Sequence, residues 1–228
     1  AGLRFTSALR IAAGTIERVS WAIVLWNAVL GLVSICLVAS SNYTLNEILD
    51  APTDRSHPEK RNRPIPAGLV QPSAGYVQWI LLAVAGFSVG WQISPPFTWS
   101  VGALWIMGCV YNMPPVRSKD VPYLDVLSEA VNNPLRMLAG WFIVTQQTSA
   151  PASLLLSYWM IGCYFMALKR YAELSAFSDR ARAAAYRKSF AYYTNERLLV
   201  AIMFYATSAM LFFGAFCMRY RMELILAF

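Results

Sequence analysis

The sequence is poor in charge, in histidine and in paired cysteines. Only 14% of its 228 residues are charged, whereas 57% are hydrophobic, and the mean hydropathy is +0.44. Its one histidine, His57, cannot form a histidine-cluster metal site or a relay between two imidazoles. Cys36, Cys109, Cys163 and Cys217 stand singly in apolar runs, as small buried side chains do. These absences exclude a thiolate or histidine metal centre and a disulfide framework.

Long apolar runs dominate the chain instead. They recur at about 20 residues, the length with which a helix crosses about 30 Å of hydrocarbon. We therefore predict an all-α fold, a polytopic transmembrane helical bundle that forms one domain over residues 1–228. The start at Ala1 and the short last segment predict that both ends are trimmed and that further spans are missing. Helices are predicted near residues 20–50, 72–93, 97–113, 122–145, 151–177 and 185–218, with an amphipathic or partial helix before residue 18 and a last segment from Glu223.

The net charge of +7 is concentrated in three segments. Residues 47–65, 111–125 and 168–190 hold most of the lysines and arginines, whereas the breaks at 92–97 and 145–151 hold none. The positive-inside rule then predicts that the three basic segments share the cytoplasmic face. We expect an integral protein of a bacterial inner or plasma membrane. Topology alone is the simpler explanation of each basic segment.

The stretch NEILDAPTD, residues 46–54, ends the first long apolar run on polar groups. Asn46 and Asp50 are four residues apart and face the same way on a helix. Because Pro52 disfavours further helix, we expect Asp54 to lie in the turn just after the helix end. Carboxylates at a helix C-terminus are unfavourable for the helix dipole, so capping does not explain them. Two carboxylates and an amide oxygen suit a hard cation such as Mg²⁺.

Basic residues follow these carboxylates directly. Lys60, Arg61 and Arg63 occur in the next stretch, and Arg117 and Lys119 occur in the second basic segment. Guanidinium groups form forked hydrogen bonds with phosphate oxygens, and lysine supplies a mobile point charge. Carboxylates that hold a metal, followed by cations, indicate a site for a diphosphate.

The run YLDVLSEAVNNPLRMLAGW carries a polar stripe on an otherwise apolar helix. Asp125, Glu129, Asn132 and Arg136 follow one another at offsets of four, seven and eleven. Polar groups at this depth are expected to face the bundle interior or a water-filled cavity, and Pro134 predicts a kink there. The alternative is an internal Glu129–Arg136 ion pair that only fixes packing.

The third basic segment contains ALKRYAELSAF and RKSFAYYT. Lys169, Arg170 and Glu173 are expected to end one helix, while the following helix opens on Arg187, Lys188, Tyr192 and Tyr193. Basic residues at helix ends and interfacial tyrosines also occur as membrane anchors. That simpler explanation weakens for KRYAE, since Glu173 lies four residues after Lys169, at the level of the metal motif.

The spacing Asn46-x3-Asp50-x3-Asp54, continued by HPEKRNRPIPAG, resembles the first aspartate-rich motif of the UbiA superfamily of intramembrane prenyltransferases. The resemblance extends from about residue 30 to about residue 215. It implies a bundle of nine helices, of which six are clear here, with Mg²⁺ and a diphosphate between two polar loops and a prenyl chain in a hydrophobic tunnel. It also implies that Asn46, Asp50 and Asp54 are the first set of metal ligands.

KRYAEL and RKSFAYYT stand where members that act on aromatic acceptors usually carry a second aspartate-rich motif. These strings resemble the branch that makes polyprenyl-phosphoribose from phosphoribosyl pyrophosphate and a polyprenyl phosphate, although residues 122–141 are more acidic and amide-rich than that branch leads one to expect. The resemblance implies the following contacts: Lys169, Arg170, Tyr171 and Glu173 with the donor, Lys60, Arg61 and Arg63 near its phosphates, and Arg117 or Lys119 near the acceptor phosphate.

Several alternatives remain open at this point. Phosphoribosyl transfer stands slightly ahead of prenyl transfer to an aromatic or quinone-type acceptor, and either could use Glu173, Asp125 or Glu129 as a nearby anion or proton acceptor. A catalytically idle subunit or lipid-binding component of a membrane complex is a further possibility, and no internal repeat supports a transporter. The expected partners are a diphosphate donor, an isoprenoid lipid and the membrane, without nucleic acid, in a homo-oligomer or a larger complex. Arg136 is expected to contact either the substrate or the carboxylate of Glu129.

Overall fold

The part of the chain that the structure describes forms a bundle of eight α-helices. The computed structural model describes residues 21–55, 59–146, 148–177 and 179–220, and no strand occurs in these ranges. Three single 3₁₀ turns lie in the loops, at Lys60–Asn62, Ser118–Asp120 and Lys188–Ala191. The helices are α1 (Trp21–Asp54), α2 (Pro72–Trp91), α3 (Pro95–Asn112), α4 (Leu124–Ala130), α5 (Asn132–Val144), α6 (Ala152–Ser175), α7 (Arg180–Tyr186) and α8 (Asn195–Tyr220).

Four of the described helices, α1, α2, α6 and α8, are long and apolar enough to cross a membrane. Their outward faces expose large apolar side chains, among them Trp26, Leu81, Phe204 and Leu211. A surface of this kind is suited to lipid rather than to water. The protein is therefore an integral membrane protein, and α3, α4 and α5 pack between the longer helices.

Small residues and hydroxyl groups hold the long helices together. Ser34 Oγ on α1 donates a 2.7 Å hydrogen bond to the carbonyl oxygen of Gly86 on α2. A Cβ atom on Gly86 would lie 2.7 Å from Val38 Cγ2, so only glycine allows this approach. On the other side of the bundle, Ser157 Oγ on α6 bonds the carbonyl oxygen of Ala209 on α8 at 3.0 Å. Such pairs are typical of helix contacts inside membranes.

Two interior clusters lie on either side of α5. The first joins α1, α3 and α5 through Val38, Phe97 and Ala139. The second joins α4, α6 and α8 through Val126, Cys163 and Ile202. The predicted metal ligands lie at the end of α1, and the basic residues of the predicted site lie in the loops after α1 and α3 and on α5 and α6.

Asp54 lies in the last turn of α1 and not in a turn beyond it, which corrects the prediction. Pro52 is inside the helix, and the chain continues helically for two more residues. A proline near a C-terminus removes one hydrogen bond donor but leaves later ones, and the amide of Arg55 still bonds Ala51 at 3.2 Å. Asp54 therefore continues the four-residue spacing of Asn46 and Asp50 on one helix.

The predicted helix over 122–145 is interrupted at Val131, three residues before Pro134. Proline lacks the amide hydrogen that would bond the carbonyl of Ala130, so the interruption falls one turn ahead of it. Val131 keeps helical dihedral angles (φ −62°, ψ −19°), and α4 and α5 remain nearly continuous.

The predicted helix over 185–218 was wrong over residues 187–194, which are not α-helical, and residues 185 and 186 belong to α7. The chain is extended at Arg187, forms a 3₁₀ turn, and becomes α-helical only at Asn195. Ser189 and Tyr193 bond a buried carboxylate on α4, which a continuous helix would not permit. His57, the helix before residue 18 and the segment from Glu223 lie outside the described residues.

Candidate functional site

The acidic motif occupies the last turns of α1. Asn46, Asp50 and Asp54 follow one another at intervals of four residues and leave the helix on one side. Asn42 precedes them at the same spacing. Asn42, Asn46 and Asp50 line one cavity, whereas Asp54 is buried beside it.

The ammonium group of Lys119 is enclosed by oxygen atoms from α1 and α3. Its Nζ lies 2.7 and 2.8 Å from the two carboxylate oxygens of Asp50 and 3.1 Å from Asn46 Oδ1. Asn112 Oδ1 accepts a further bond of 2.9 Å. Lys119 is 7% exposed, and burial lowers the pKa of its ammonium group even though Asp50 acts in the opposite direction. These four oxygen atoms, which we call the oxygen cage, already hold one cation.

Arg117 joins the same carboxylate from the loop after α3. Its Nη2 bonds Asp50 Oδ1 at 2.8 Å, and its Nε bonds Asp120 Oδ2 at 3.1 Å. The backbone of Arg117 is left-handed (φ 33°, ψ 59°), a conformation that a non-glycine residue keeps only when its surroundings fix it. The loop is therefore constrained to present two cations, Arg117 and Lys119, to one carboxylate.

The segment after α1 folds back on Asp54. Arg63 Nη1 lies 2.9 Å from Asp54 Oδ2, and Lys60 Nζ lies 4.0 Å from Asp54 Oδ1. Arg61 is exposed beside them. The carboxylate of Glu47 accepts the amide of Ile65 at 2.9 Å and fixes the segment to α1. The acidic end of α1 is thus surrounded by basic side chains from two loops.

A second ionic cluster is centred on Arg170 of α6, which is 1% exposed. Its three guanidinium nitrogens bond three carboxylates: Asp125 at 3.1 Å, Glu129 at 2.8 Å and Glu173 at 3.1 Å. Tyr111 donates a further bond of 3.1 Å to Glu129. The alternative of an internal Glu129–Arg136 ion pair is wrong, because Glu129 Oε2 accepts hydrogen bonds from Arg170 and Tyr111 instead.

Asp125 is fully buried and accepts hydrogen bonds from the segment between α7 and α8. Tyr193 Oη donates at 2.6 Å, Ser189 Oγ at 3.2 Å and Arg187 Nη1 at 3.4 Å. Burial, together with the charge of Asp125, raises the pKa of Tyr193, so its hydroxyl group stays a donor at ordinary pH. Asp125 therefore anchors this segment beside Arg170.

A cavity of about 400 Å³ opens between the oxygen cage and the apolar interior. Its polar wall is formed by Asn42, Tyr43, Asn46, Asp50, Lys60, Tyr111, Asn112, Lys119, Glu129, Asn132, Asn133, Arg136 and Arg187. Its apolar wall includes Ile35, Val38, Ala39, Leu104, Gly108, Ala130 and Met166. One compartment thus offers charges at one end and hydrocarbon at the other.

The structure brings part of the predicted site into this cavity. Asn46, Asp50, Lys60, Lys119 and Arg136 line it. The other predicted residues, Asp54, Arg61, Arg63, Arg117, Lys169, Arg170, Tyr171 and Glu173, are not among its lining residues. Lys169 is exposed, and Tyr171 packs against the apolar clusters.

Four polar lining residues that are at least partly buried escaped the sequence prediction: Asn42, Tyr111, Asn112 and Asn133. Asn42 could have been found, since it lies four residues before Asn46 on the same helix face. The other three carry no spacing signal, because they reach the cavity from other helices.

The oxygen atoms of Asn46 and Asp50 fit a hard divalent cation. They are the ligand type that Mg²⁺ prefers, and the Lys119 ammonium group lies where such an ion would bind. Within the described part of the chain, no group of three or more His, Cys, Asp or Glu side chains could hold a metal. A Mg²⁺ ion here would therefore take few protein ligands and complete its shell with water and substrate phosphates.

Comparison of structures gives a clear match. A UbiA homolog from Archaeoglobus fulgidus, described as bound to GPP and Mg²⁺, superposes with a TM-score of 0.76 at 21% identity over 88% of this chain and 69% of that one. The fold is therefore that of the UbiA homologs.

Comparison of sequences points to particular relatives. A decaprenyl-phosphate phosphoribosyltransferase from Mycolicibacterium smegmatis is 33% identical over 185 residues, which cover 78% of this chain and 54% of the relative. Its counterpart from Mycobacterium tuberculosis is 31% identical, over 86% of this chain and 63% of the relative. A protoheme IX farnesyltransferase from Shigella flexneri is 27% identical over 64% of this chain and 50% of the relative. The chain thus spans between about half and two thirds of the length of these relatives.

The family model for the UbiA prenyltransferase family matches residues 5–228, nearly the whole chain. The match includes α1 with its acidic motif, both basic loops and the helices that form the cavity. The chain belongs to the UbiA prenyltransferase family.

Proposed function

We propose that the protein is a Mg²⁺-dependent transferase that moves the phosphoribosyl group of phosphoribosyl pyrophosphate to a polyprenyl phosphate. The observation that carries the proposal is the oxygen cage of Asn46, Asp50 and Asn112 around a cation, at the polar end of a cavity whose other end is apolar. The similarity to two phosphoribosyltransferases supports the choice of donor and acceptor.

The donor would bind at the polar end. Asn46 and Asp50, with Asp54 one turn further on, would hold Mg²⁺, which when bound neutralises negative charge on the departing diphosphate. Lys60, Arg61 and Arg63 from one loop and Arg117 and Lys119 from the other would bind the phosphate oxygens, so that charge developing on diphosphate meets fixed cations. Binding of the donor would require Lys119 to leave the oxygen cage and turn toward the diphosphate.

The KRYAE segment would support this site. Arg170 is engaged by three carboxylates, so Glu173 would act through Arg170 as a positioning residue. Lys169 and Tyr171 flank it on α6 and would approach the ribose side of the donor. The cluster fixes α4, α6 and the segment before α8 relative to one another, which keeps the cavity walls in position.

The proposed reaction has a simple balance. A phosphate oxygen of the acceptor forms a bond to C1 of the ribose, the bond between C1 and the diphosphate oxygen breaks, and its electron pair leaves with diphosphate. An acceptor phosphate that is already ionised needs no base. This fits a site in which the carboxylates Asp125, Glu129 and Glu173 are occupied by Arg170.

Prenyl transfer to an aromatic acceptor is the second candidate. It is favoured by the position of Glu129, which lines the cavity and could accept the proton that an aromatic ring releases. The similarity to a protoheme IX farnesyltransferase agrees with this reading. A non-catalytic subunit of a membrane complex is the third, and it would bind no diphosphate in a Mg²⁺-dependent way.

The basic loops around the site suggest its orientation. By the positive-inside rule they would face the cytoplasm, where a water-soluble sugar donor is available, and the membrane would be the inner or plasma membrane of a bacterium. The lipid acceptor would enter from the bilayer through the apolar side of the cavity.

Diphosphate release from the purified protein tests the proposal. With Mg²⁺ and membrane lipid extract, phosphoribosyl pyrophosphate is expected to release diphosphate and to label a lipid through its ribose. Release from a long prenyl diphosphate instead would favour the second candidate. Release from neither donor, with no Mg²⁺-dependent binding of diphosphate, would favour the non-catalytic subunit.

A further inference from the structure

Four basic side chains line the cavity, and three of them have a carboxylate partner. Lys119 is held by Asp50, Arg187 lies 3.4 Å from Asp125, and Lys60 lies 4.0 Å from Asp54. Within the described part of the chain, Arg136 makes no hydrogen bond or ion pair. Its side chain is exposed to the cavity space, so its charge is available to a ligand.

Arg136 also lies deeper in the bundle than the oxygen cage. It is in the second turn of α5, beside Leu135 and Ala139, which belong to the same apolar cluster as Val38 of α1. Val38 precedes Asn46 by eight residues, which is about 12 Å along the helix axis at about 1.5 Å per residue. The unpaired guanidinium group and the oxygen cage therefore mark two levels of one cavity.

An unpaired arginine at this depth indicates an anionic ligand. Charged side chains among membrane helices are costly and are usually paired or directed into a functional cavity. Two acidic residues line the cavity, and both are engaged: Asp50 by Arg117 and Lys119, and Glu129 by Arg170 and Tyr111. The missing counter-charge would then come from outside the chain.

We infer that Arg136 binds the phosphate group of the lipid acceptor and so sets the specificity for a phosphorylated rather than a neutral lipid. The inference rests on the proposed function. It makes Arg136 the acceptor's main anchor in place of Arg117 and Lys119, which contact Asp50 and which the proposed function assigns to the donor diphosphate. A guanidinium fork matches two oxygens of a terminal phosphate. The isoprenoid tail would then lie along Ile35, Val38 and Met166, on the apolar wall.

The binding test uses farnesyl monophosphate and farnesol as probes on the intact protein in nanodiscs. The wild-type protein is expected to bind the phosphate at least about tenfold more tightly than the alcohol, as one to two charge-assisted hydrogen bonds provide. Arg136→Gln should remove this preference, and Arg136→Lys, which keeps the charge but not the fork, should retain part of it. Arg182→Gln is the matched control, because Arg182 is exposed and does not line the cavity.

Three results would overturn the inference. The first is no phosphate preference in the wild-type protein, and the second is an unchanged preference in Arg136→Gln. The third is Arg136-dependent binding of 4-hydroxybenzoate in place of the lipid phosphate, which would assign the arginine to an aromatic carboxylate. If Arg136→Gln does not fold, the test rests on Arg136→Lys. Its preference for farnesyl monophosphate over farnesol should be at least about threefold smaller than that of the wild-type protein, and an unchanged preference contradicts the assignment.

Donor binding is measured separately on the same preparations. Mg²⁺-dependent binding of phosphoribosyl pyrophosphate should change less than about twofold in Arg136→Gln, because the arginine lies at the deeper of the two levels of the cavity and the Mg²⁺ ligands lie at the other. If the wild-type protein does not bind phosphoribosyl pyrophosphate, the proposed donor is refuted, but the result for the lipid phosphate is unaffected. Failure of the inference and failure of the proposed function are thus distinguishable.

Discussion

The hydroxyl group of Tyr193 connects two segments that are 70 residues apart. It donates a 2.6 Å hydrogen bond to Asp125 Oδ1 and accepts one of 2.6 Å from the backbone amide of Tyr123. Tyr123 has a positive φ of 65° and is the N-cap residue of α4, so this amide would otherwise be left without a partner. The segment between α7 and α8 is therefore fixed to the loop that carries Lys119.

Tyr193→Phe is expected to destabilise the protein by about 1–3 kcal/mol, because it leaves the Tyr123 amide and one Asp125 oxygen without their partner. The ring, which is 1% exposed, keeps its packing. The measurement is the thermal unfolding temperature in detergent, with diphosphate release as a second readout. Release should fall as well, since the loop that carries Lys119 loses an anchor.

Tyr192→Phe is the matched control for that experiment. Tyr192 is the preceding residue and is 49% exposed, and its ring packs over Arg197 at 4.4 Å. Its hydroxyl group makes no hydrogen bond in the described part of the chain, so Tyr192→Phe should unfold at the wild-type temperature. Equal unfolding temperatures for Tyr193→Phe and Tyr192→Phe would show that the Tyr193 hydroxyl group does not fix this segment.

Arg170→Met should cost about 3–5 kcal/mol of stability, because it leaves three carboxylates facing one another in a buried site. The side chain volume is nearly kept, so lost packing contributes little. The measurement is again thermal unfolding, compared with Lys169→Met at the neighbouring exposed position. A loss in Arg170→Met no larger than that in Lys169→Met would mean that Asp125, Glu129 and Glu173 do not depend on the guanidinium group.

The sequence was sufficient for features that depend on local spacing. Apolar run length predicted the long helices, and the four-residue interval predicted that Asn46 and Asp50 share a face. Pro134 predicted an irregularity in the helix after Tyr123, which occurs three residues earlier, at Val131. These features are set by neighbours within one or two turns, where backbone geometry alone decides the outcome.

Features that depend on contacts between distant segments were not predictable in the same way. Lys119 reaches Asn46 across 73 residues, and Tyr193 reaches Asp125 across 68. The sequence after Arg187 favours a helix locally. The long-range hydrogen bonds of Ser189 and Tyr193 outweigh this local preference. Likewise, Glu129 and Arg136 share a polar stripe, yet the carboxylate of Glu129 forms its ion pair with Arg170 from α6.

Asp50→Asn should abolish the Mg²⁺-dependent binding of phosphoribosyl pyrophosphate and lower diphosphate release by about 10²-fold or more. The substitution keeps the shape of the side chain but removes the charge that both Lys119 and Arg117 contact. Isothermal titration calorimetry of the protein in nanodiscs measures donor binding. Electron paramagnetic resonance with Mn²⁺ in place of Mg²⁺ measures metal binding.

Asp179→Asn is the control for Asp50→Asn. Asp179 is exposed, caps α7 by accepting the amide of Ala181 at 2.9 Å, and is remote from the cavity lining. Its variant should bind donor and metal as the wild-type protein does. Normal donor and metal binding by Asp50→Asn would remove the carboxylate of the oxygen cage from the proposed mechanism.

Gly108→Ala and Gly102→Ala differ only in what the added methyl group meets on α3. At Gly108 a Cβ atom would overlap the side chain amide of Asn42, whereas at Gly102 it would meet nothing within 4 Å. Asn42 also donates a 3.0 Å bond to the carbonyl oxygen of Leu104, so Gly108→Ala must displace it from this position into the cavity.

Gly108→Ala should therefore lower stability by about 1–3 kcal/mol and reduce diphosphate release, as overpacking does at closely fitted sites. Gly102→Ala should be neutral or up to about 1 kcal/mol more stable, because alanine favours the helix more than glycine. Thermal unfolding and donor titration of the two variants side by side measure both effects. If the two variants unfold at the same temperature and bind donor equally, Asn42 is not held between α1 and α3 as described, and its place in the cavity wall has no bearing on the substrate.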